Sequence, residues 1–108
     1  MGYIKHHGIA VTSWDEKILK KAHRLAKEIF KKRASPIMNG DINSYLTFFI
    51  APDGSKEGWE ESDKDDISRS VFINWINKQA YEDGSNPLDF CEFFYGEDND
   101  ESEVTRHN

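Results

Sequence analysis

Three places in the chain bring together residue types that can do chemistry. Lys5-His6-His7 offers two imidazoles for a metal or for proton transfer. Neighbouring residues of a strand project to opposite faces, so these two side chains cannot easily share one ion or one reacting atom. A two-histidine phosphoesterase would need a second, distant His-x-Ser/Thr motif, and neither His23 nor His107 supplies one. The loop from Asp53 to Gly58 holds glycines and Lys56 without the spacing of a phosphate-binding loop. It reads as a long turn, or as a rim at which Lys56 and Trp59 meet a ligand. The acidic run from Gly96 to Glu103 resembles a calcium loop superficially but lacks the glycine at the sixth position and the glutamate at the twelfth, which makes it a solvated tail. Cys91, the single cysteine, sits in an apolar run and reads as a buried thiol with no internal disulfide available to it. No Ser-His-Asp or Cys-His constellation can be assembled, so no residue is assigned a catalytic or metal-binding role and no cofactor is implied.

The chain that must position these residues has 108 amino acids, the size of one ordinary domain. Its 37% hydrophobic content, with seven Phe, four Tyr and three Trp, suffices for a core. No run approaches the roughly 18 apolar residues of a membrane span, and the first ten residues carry neither a leader pattern nor a myristoylation signal, since His6 stands where Ser or Thr is needed. A cytoplasmic protein is expected. The net charge of -6 is unevenly spread: residues 1 to 40 carry nine Lys or Arg against three acids, and residues 41 to 108 carry five against seventeen. Overall acidity disfavours binding to nucleic acid, which is driven by cationic surface and counterion release.

His6 to Thr12 alternates around Ile9 and Val11 and suits a first strand. Ser13 and Glu16 have capping-box spacing, so a helix should start there, with an apolar stripe of Ile18, Leu19, Ala22, Leu25, Ala26, Ile29 and Phe30. Its outer positions, among them Lys20, Arg24 and Lys27, form a basic face that is either simply solvated or a partner-binding surface. Pro36 and Asn39-Gly40 leave room for a short edge strand around Ile37 and Met38, and Tyr45 to Ala51 predicts a further strand. Ser62, with Asp65 three residues on, predicts the start of a second helix whose stripe runs through Ile67, Val71, Phe72, Trp75 and Ile76. Leu88 to Tyr95 is the last strong strand; Val104 and Thr105 could add a short edge strand to a tail that is otherwise expected to be mobile.

This order predicts an α+β domain over residues 1–95, a ferredoxin-like βαββαβ two-layer sandwich with both helices on one face of a mixed or antiparallel sheet, followed by an acidic tail over 96–108. The Tyr45 to Ile50 run is apolar on both sides apart from Thr47, and Phe90 and Phe94 face away from Cys91, Phe93 and Tyr95. Something should therefore cover the second face: a homodimer through the sheet is the simplest candidate, an aromatic ligand or a protein partner the alternatives. Ser44 to Ile50 also echoes an RNA-recognition sheet with its stacking aromatics, although the basic-glycine opening of that motif is absent.

The stretches Met1-Gly-Tyr-Ile-Lys-His-His7, Val11-Thr-Ser-Trp14, Ala51-Pro-Asp-Gly-Ser-Lys-Glu-Gly-Trp-Glu-Glu-Ser-Asp63 and Tyr81-Glu-Asp-Gly-Ser85 resemble a family of small bacteriophage-encoded proteins. Asn43-Ser44-Tyr45 stands where the resemblance implies an Asn-Gly-Tyr turn. What the resemblance implies is a setting: a non-enzymatic accessory protein that neutralises a host factor, either by blocking a host protein or by sequestering a small nucleotide signal used in antiviral defence. A protein partner would use the basic helix face, Tyr45 and the exposed sheet, or the acidic tail. A nucleotide would sit where Lys5, His6, His7, Lys56, Trp59 and Arg69 converge. The competing class is a small phosphoesterase-like enzyme using His6 or His7.

Overall fold

A computed structural model describes residues 4–96 and 102–108. The elements follow the order β1 (Lys5–Ser13), α1 (Glu16–Phe30), a 3-10 turn (Lys31–Arg33), β2 (Met38–Asn39), β3 (Leu46–Ile50), α2 (Glu60–Asn77), β4 (Asp89–Gly96) and β5 (Ser102–His107). The five strands form one sheet in the order β2-β3-β1-β4-β5, and every pairing is antiparallel. The fold is thus α+β with two helices and a five-stranded antiparallel sheet. No helix among the described residues is long and apolar enough to cross a membrane.

Strand alternation sorts the sheet residues between two faces. On one face Ile9 and Val11 of β1 stand beside Phe48 and Ile50 of β3 and Phe90 of β4, all buried under the helices. α1 contributes Leu19, Ala22, Ala26 and Phe30 to that core, a three-and-four spacing that matches the expected stripe, with Ile18, Leu25 and Ile29 packed at its margin. The start of α1 differs in detail. Asp15, not Ser13, is the N-cap and accepts from the amides of Lys17 and Ile18, while the Ser13 hydroxyl turns inward and donates to Pro87 O at 2.6 Å. Ser13 thereby ties the end of β1 to the loop before β4.

α2 departs further from the expected pattern. It begins at Glu60, and Trp59 occupies the cap position without a side-chain bond. Its buried residues are Ser62, Asp65, Arg69, Phe72, Ile73 and Ile76, so Ile67 and Val71, placed in the apolar stripe by the sequence, lie outside at 66% and 53% exposure. The helix is turned because its N-terminal half buries ions instead of aliphatic groups. Arg69 donates to Glu92 Oε2 at 2.9 Å and to Asp65 Oδ2 at 2.6 Å, and also reaches Asp66. Asp65 receives a second guanidinium, Arg33, at 2.5 Å.

The second correction concerns the chain after β4. Ser102–His107, expected as tail with at most a short edge strand at Val104 and Thr105, is a six-residue strand of the sheet. Arg106 donates to both Glu92 oxygens at 2.7 Å and to the Ser70 hydroxyl, Thr105 donates to Glu92 Oε1 at 2.8 Å, and Asn108 bonds Leu88 O and the Phe90 amide. A short polar stretch with one arginine therefore becomes an edge strand because a buried carboxylate in β4 requires its charge. Residues 97–101, the larger part of the acidic run, lie outside the described residues.

Two turns repeat one device. Asp53 accepts from the Ser55 amide and hydroxyl, Asp83 does the same for Ser85, and Gly54 and Gly84 between them take φ of 81° and 89°. In the turn before β3 the left-handed positions fall instead on Asp41, Asn43 and Ser44, at φ of 70°, 60° and 59°. Asn tolerates this region; Ser does so at a cost of about 1 kcal/mol. Ser44→Gly should therefore raise the free energy of urea unfolding by up to about 0.5 kcal/mol, read as a higher midpoint at unchanged m-value, because the added freedom of the unfolded chain offsets the rest of the relief.

Glu92 also predicts a pH dependence. Burial alone would raise its carboxyl, but hydrogen bonds from Arg106, Thr105 and Arg69 outweigh that and hold it at about 2, below an ordinary 4.5. A folded value below the unfolded one stabilises the native state above the unfolded value, and that contribution is lost as pH falls from about 4.5 through about 2. Thermal unfolding followed from pH 6 to pH 2 should show this loss in the native protein, and Glu92→Gln should flatten it while lowering stability at neutral pH, where Arg69 and Arg106 both lose the carboxylate they share.

Candidate functional site

The start of β1, the loop over residues 51–59 and the end of β4 meet at one corner of the molecule. β1 enters there because it pairs with β4 along its whole length, Lys5 opposite Gly96 and His6 opposite Tyr95. The loop is carried to the same place by an antiparallel bridge between Ile4 and Lys56. Four of the basic or imidazole groups singled out in the sequence rest there on aromatic rings. The Lys5 ammonium stands 4.6 Å from the Phe94 ring centre, and Lys56 stands 5.8 Å from that of Trp59. The His6 ring lies 5.1 Å from Tyr95, and His7 lies 5.6 Å from Phe94. Trp59 remains 49% exposed.

The two histidines diverge, as strand geometry requires. His7 projects to the helix-covered side with Phe94, where its Nε2 is 2.8 Å from Glu57 Oε1, and this contact pins the loop to β1. His6 projects to the opposite side with Tyr95. Among the described residues no hydroxyl or thiol is hydrogen-bonded to His7, and no group of three or more His, Cys, Asp or Glu could hold a metal ion. The first turn of α2, next to Trp59, already carries Glu60, Glu61 and Asp63, which compensate the positive end of the helix dipole.

The structure therefore brings Lys5, His6, His7, Lys56 and Trp59 to one end of the sheet, with His6 on the face opposite Lys5 and His7, and it holds Arg69 apart from them. Arg69 is buried under α2 and held by Asp65, Asp66 and Glu92, a structural ion cluster in which every donor group is engaged within the layer between helix and sheet. Lys20, Arg24 and Lys27 lie exposed on the outer side of α1, with Lys20 paired to Glu16 at 3.1 Å. Tyr45 is exposed in the turn before β3.

The second feature is the sheet face that no helix covers. Gly8, Ala10 and Thr12 of β1, Thr47 and Phe49 of β3, Cys91, Phe93 and Tyr95 of β4, and Val104 of β5 fall on it by register. The rings of Phe49 and Phe93 stack at 5.9 Å with planes 14° apart, and Phe93 and Tyr95 stack at 6.3 Å with planes 16° apart. Gly8 explains the first stack. A Cβ at this position would stand 3.1 Å from Phe93 Cζ, 3.2 Å from Phe49 Cζ and 3.1 Å from Ile50 O, so the two rings close over bare backbone. The sequence showed the aromatic residues but not that a glycine on the middle strand lets them meet. Cys91, expected to be buried, is a partly exposed free thiol on this face.

Comparison of the chain with protein-family models, with curated proteins and with solved structures finds no match.

Gly8→Ala is expected to part the rings, because the Ile50 carbonyl on the other side of the new methyl cannot give way. The change should cost about 1–3 kcal/mol in denaturant unfolding, as overpacking does, and it should weaken the near-ultraviolet circular dichroism of the aromatic stack while the far-ultraviolet signal stays native.

Proposed function

We propose that the protein is a small non-enzymatic binding protein that neutralises a host factor, and that it captures an anionic ligand carrying a flat ring, of the nucleotide class, at the corner formed by β1 and loop 51–59. The observation that carries this reading is the Lys56 ammonium set over the half-exposed Trp59 ring beside the strand that bears Lys5 and His6. A nucleotide asks for a surface on which its base can stack and for cations near its phosphates, and this corner offers both. The opposed projection of His6 and His7 favours binding over catalysis, since one reacting atom cannot meet both imidazoles.

The resemblance to small bacteriophage proteins supplies the setting: an accessory protein acting in the cytoplasm of an infected bacterium, where removing a nucleotide signal would disarm a defence that depends on it. The architecture is read in the same way as a ferredoxin-like βαββαβ core. The order β2-β3-β1-β4, with helices after β1 and β3, supports it, and β5 is then an added edge strand.

The purified protein, incubated in a bacterial host lysate and recovered, should release a nucleotide in stoichiometric amount when denatured. Lys56→Ala and Trp59→Ala should each weaken its retention at least about tenfold, the value of one lost stacking or cation contact. Retention untouched by both changes would end the corner reading. One enriched host protein with no small molecule would instead make the chain a protein blocker.

A further inference from the structure

We infer that the open face of the sheet is the contact between two copies of this chain, packed face to face about a two-fold axis. The inference is independent of the ligand corner, because it rests on residues at the centre of the sheet and not on Lys56 or Trp59. Three observations select a second copy as the occupant.

The first is charge. The strands present no Lys or Arg on this face. Its ionisable groups are His6 and Tyr95 at one end of the β1–β4 pair, Asp89 at the other end, His107 on the outer strand, and the thiol of Cys91. The middle, made of Gly8, Ala10, Phe49, Cys91 and Phe93, holds no Lys, Arg, His, Asp or Glu and needs no counter-charge from its partner. A polyphosphate chain would meet no cation there, and the basic residues of α1 lie in the helix layer on the other side of the sheet. An uncharged patch is complementary to itself, which is what an isologous contact demands.

The second is extent. The five strands hold 30 residues, each occupying about 3.3 Å along its strand and about 4.8 Å across it, so the flat face offers on the order of 500 Å² before the relief of its side chains. A stable dimer buries about 800 Å² per partner, a size this face approaches with the relief of its side chains included.

The third is preparation. Phe49, Phe93 and Tyr95 are already stacked within one chain, so little side-chain freedom remains to be lost on association. Met38 and Val104 flank this row at 50% and 51% exposure, continuing the apolar surface to the outer strands. Apolar area of this breadth facing water is what an unpaired copy would have to tolerate.

Sedimentation equilibrium of the full chain decides the matter. The unaltered protein is expected to sediment as a dimer at about 100 μM and to dissociate on dilution, as mass action requires. Phe49→Asp and Phe93→Asp should weaken the dimer at least about thirtyfold, the effect of removing a central anchor, with the far-ultraviolet circular dichroism checked for the native fold. Should either ring variant fail to fold, Met38→Asp and Val104→Asp carry the test, since both side chains are half exposed in the single chain and both should still shift the equilibrium toward monomer. Lys20→Glu with Lys27→Glu, on α1, should leave the mass unchanged. A protein that is monomeric at about 100 μM overturns the inference, and so does a dimer that withstands the face variants or breaks on the α1 variants. A monomer that instead retains single-stranded RNA or one host protein through Phe49 and Phe93 identifies a different occupant and overturns it as well. None of these outcomes bears on nucleotide retention by Lys56 and Trp59, so the two readings fail separately.

Discussion

The constraint on which the structure turns is a carboxylate placed where a hydrophobic residue would be expected. Glu92 stands on β4 opposite Ile9, in the layer between sheet and helices, and is 3% exposed. An ionised carboxylate in such a place is tolerated only with counter-charges and hydrogen bonds on both oxygens. Arg69 brings one guanidinium from α2 and Arg106 brings another from β5, and Thr105 adds a hydroxyl. Arg69 in turn engages Asp65, and Asp65 engages Arg33, whose other nitrogen bonds Ala51 O just beyond β3. Five segments of the chain are thus linked through one chain of charges: the turn after α1, the end of β3, α2, β4 and β5. Among the described residues no buried side-chain nitrogen or oxygen lacks a hydrogen-bond partner. A cluster so completely satisfied fixes the rotation of α2 as strictly as an aliphatic stripe would, because turning the helix would strand an ion in the core.

That constraint explains which parts of the fold were legible in the sequence. β1, α1, β3 and β4 announce themselves by hydrophobic period, and their observed boundaries lie within one or two residues of those read from pattern. α2 announces its existence but not its orientation. Its inward face alternates between polar residues at Ser62, Asp65 and Arg69 and apolar ones at Phe72, Ile73 and Ile76, so a search for apolar spacing selects Ile67 and Val71, which face out. The pattern is helical in both readings; what differs is the chemistry of the buried stripe. β5 was nearly invisible for the same reason. Ser102 to His107 carries a single aliphatic residue, Val104, and owes its place to Arg106 and Thr105. Partners in an ion cluster separated by 23 and 14 residues leave no local signal.

The candidate site was legible in proportion to how much of it rests on strand geometry. The divergence of His6 and His7 follows from their adjacency alone. The approach of Lys56 and Trp59 to β1 does not, because it needs the loop after β3 to run on beside β1 past the last paired residue of β3, where the Ile4–Lys56 bridge and the His7–Glu57 contact hold it. Arg69 is grouped with these residues on charge type, and its burial removes it: each of its three nitrogens donates to a carboxylate and the guanidinium is closed off from solvent. Charge type identifies what a residue could bind, whereas burial decides whether the fold has already used it.

The two faces of the sheet therefore solve opposite problems. The covered face admits charge and satisfies it internally, at the cost of needing β5 and the 3-10 turn after α1 to complete the set. The open face keeps its charged groups to its ends and its outer strand, and its middle is smoothed by a glycine that lets two rings close over the central strand. If Gly8 carried a side chain, Phe49 and Phe93 would stand apart, and the face would be rougher and less able to meet a flat partner. The same residue type in a solvated strand would only weaken it. A strand that runs His6, Gly8, Ala10, Thr12 on one side and His7, Ile9, Val11, Ser13 on the other thus keeps one side low for contact and the other full for packing, and β1 can do both because it is the middle strand of the five.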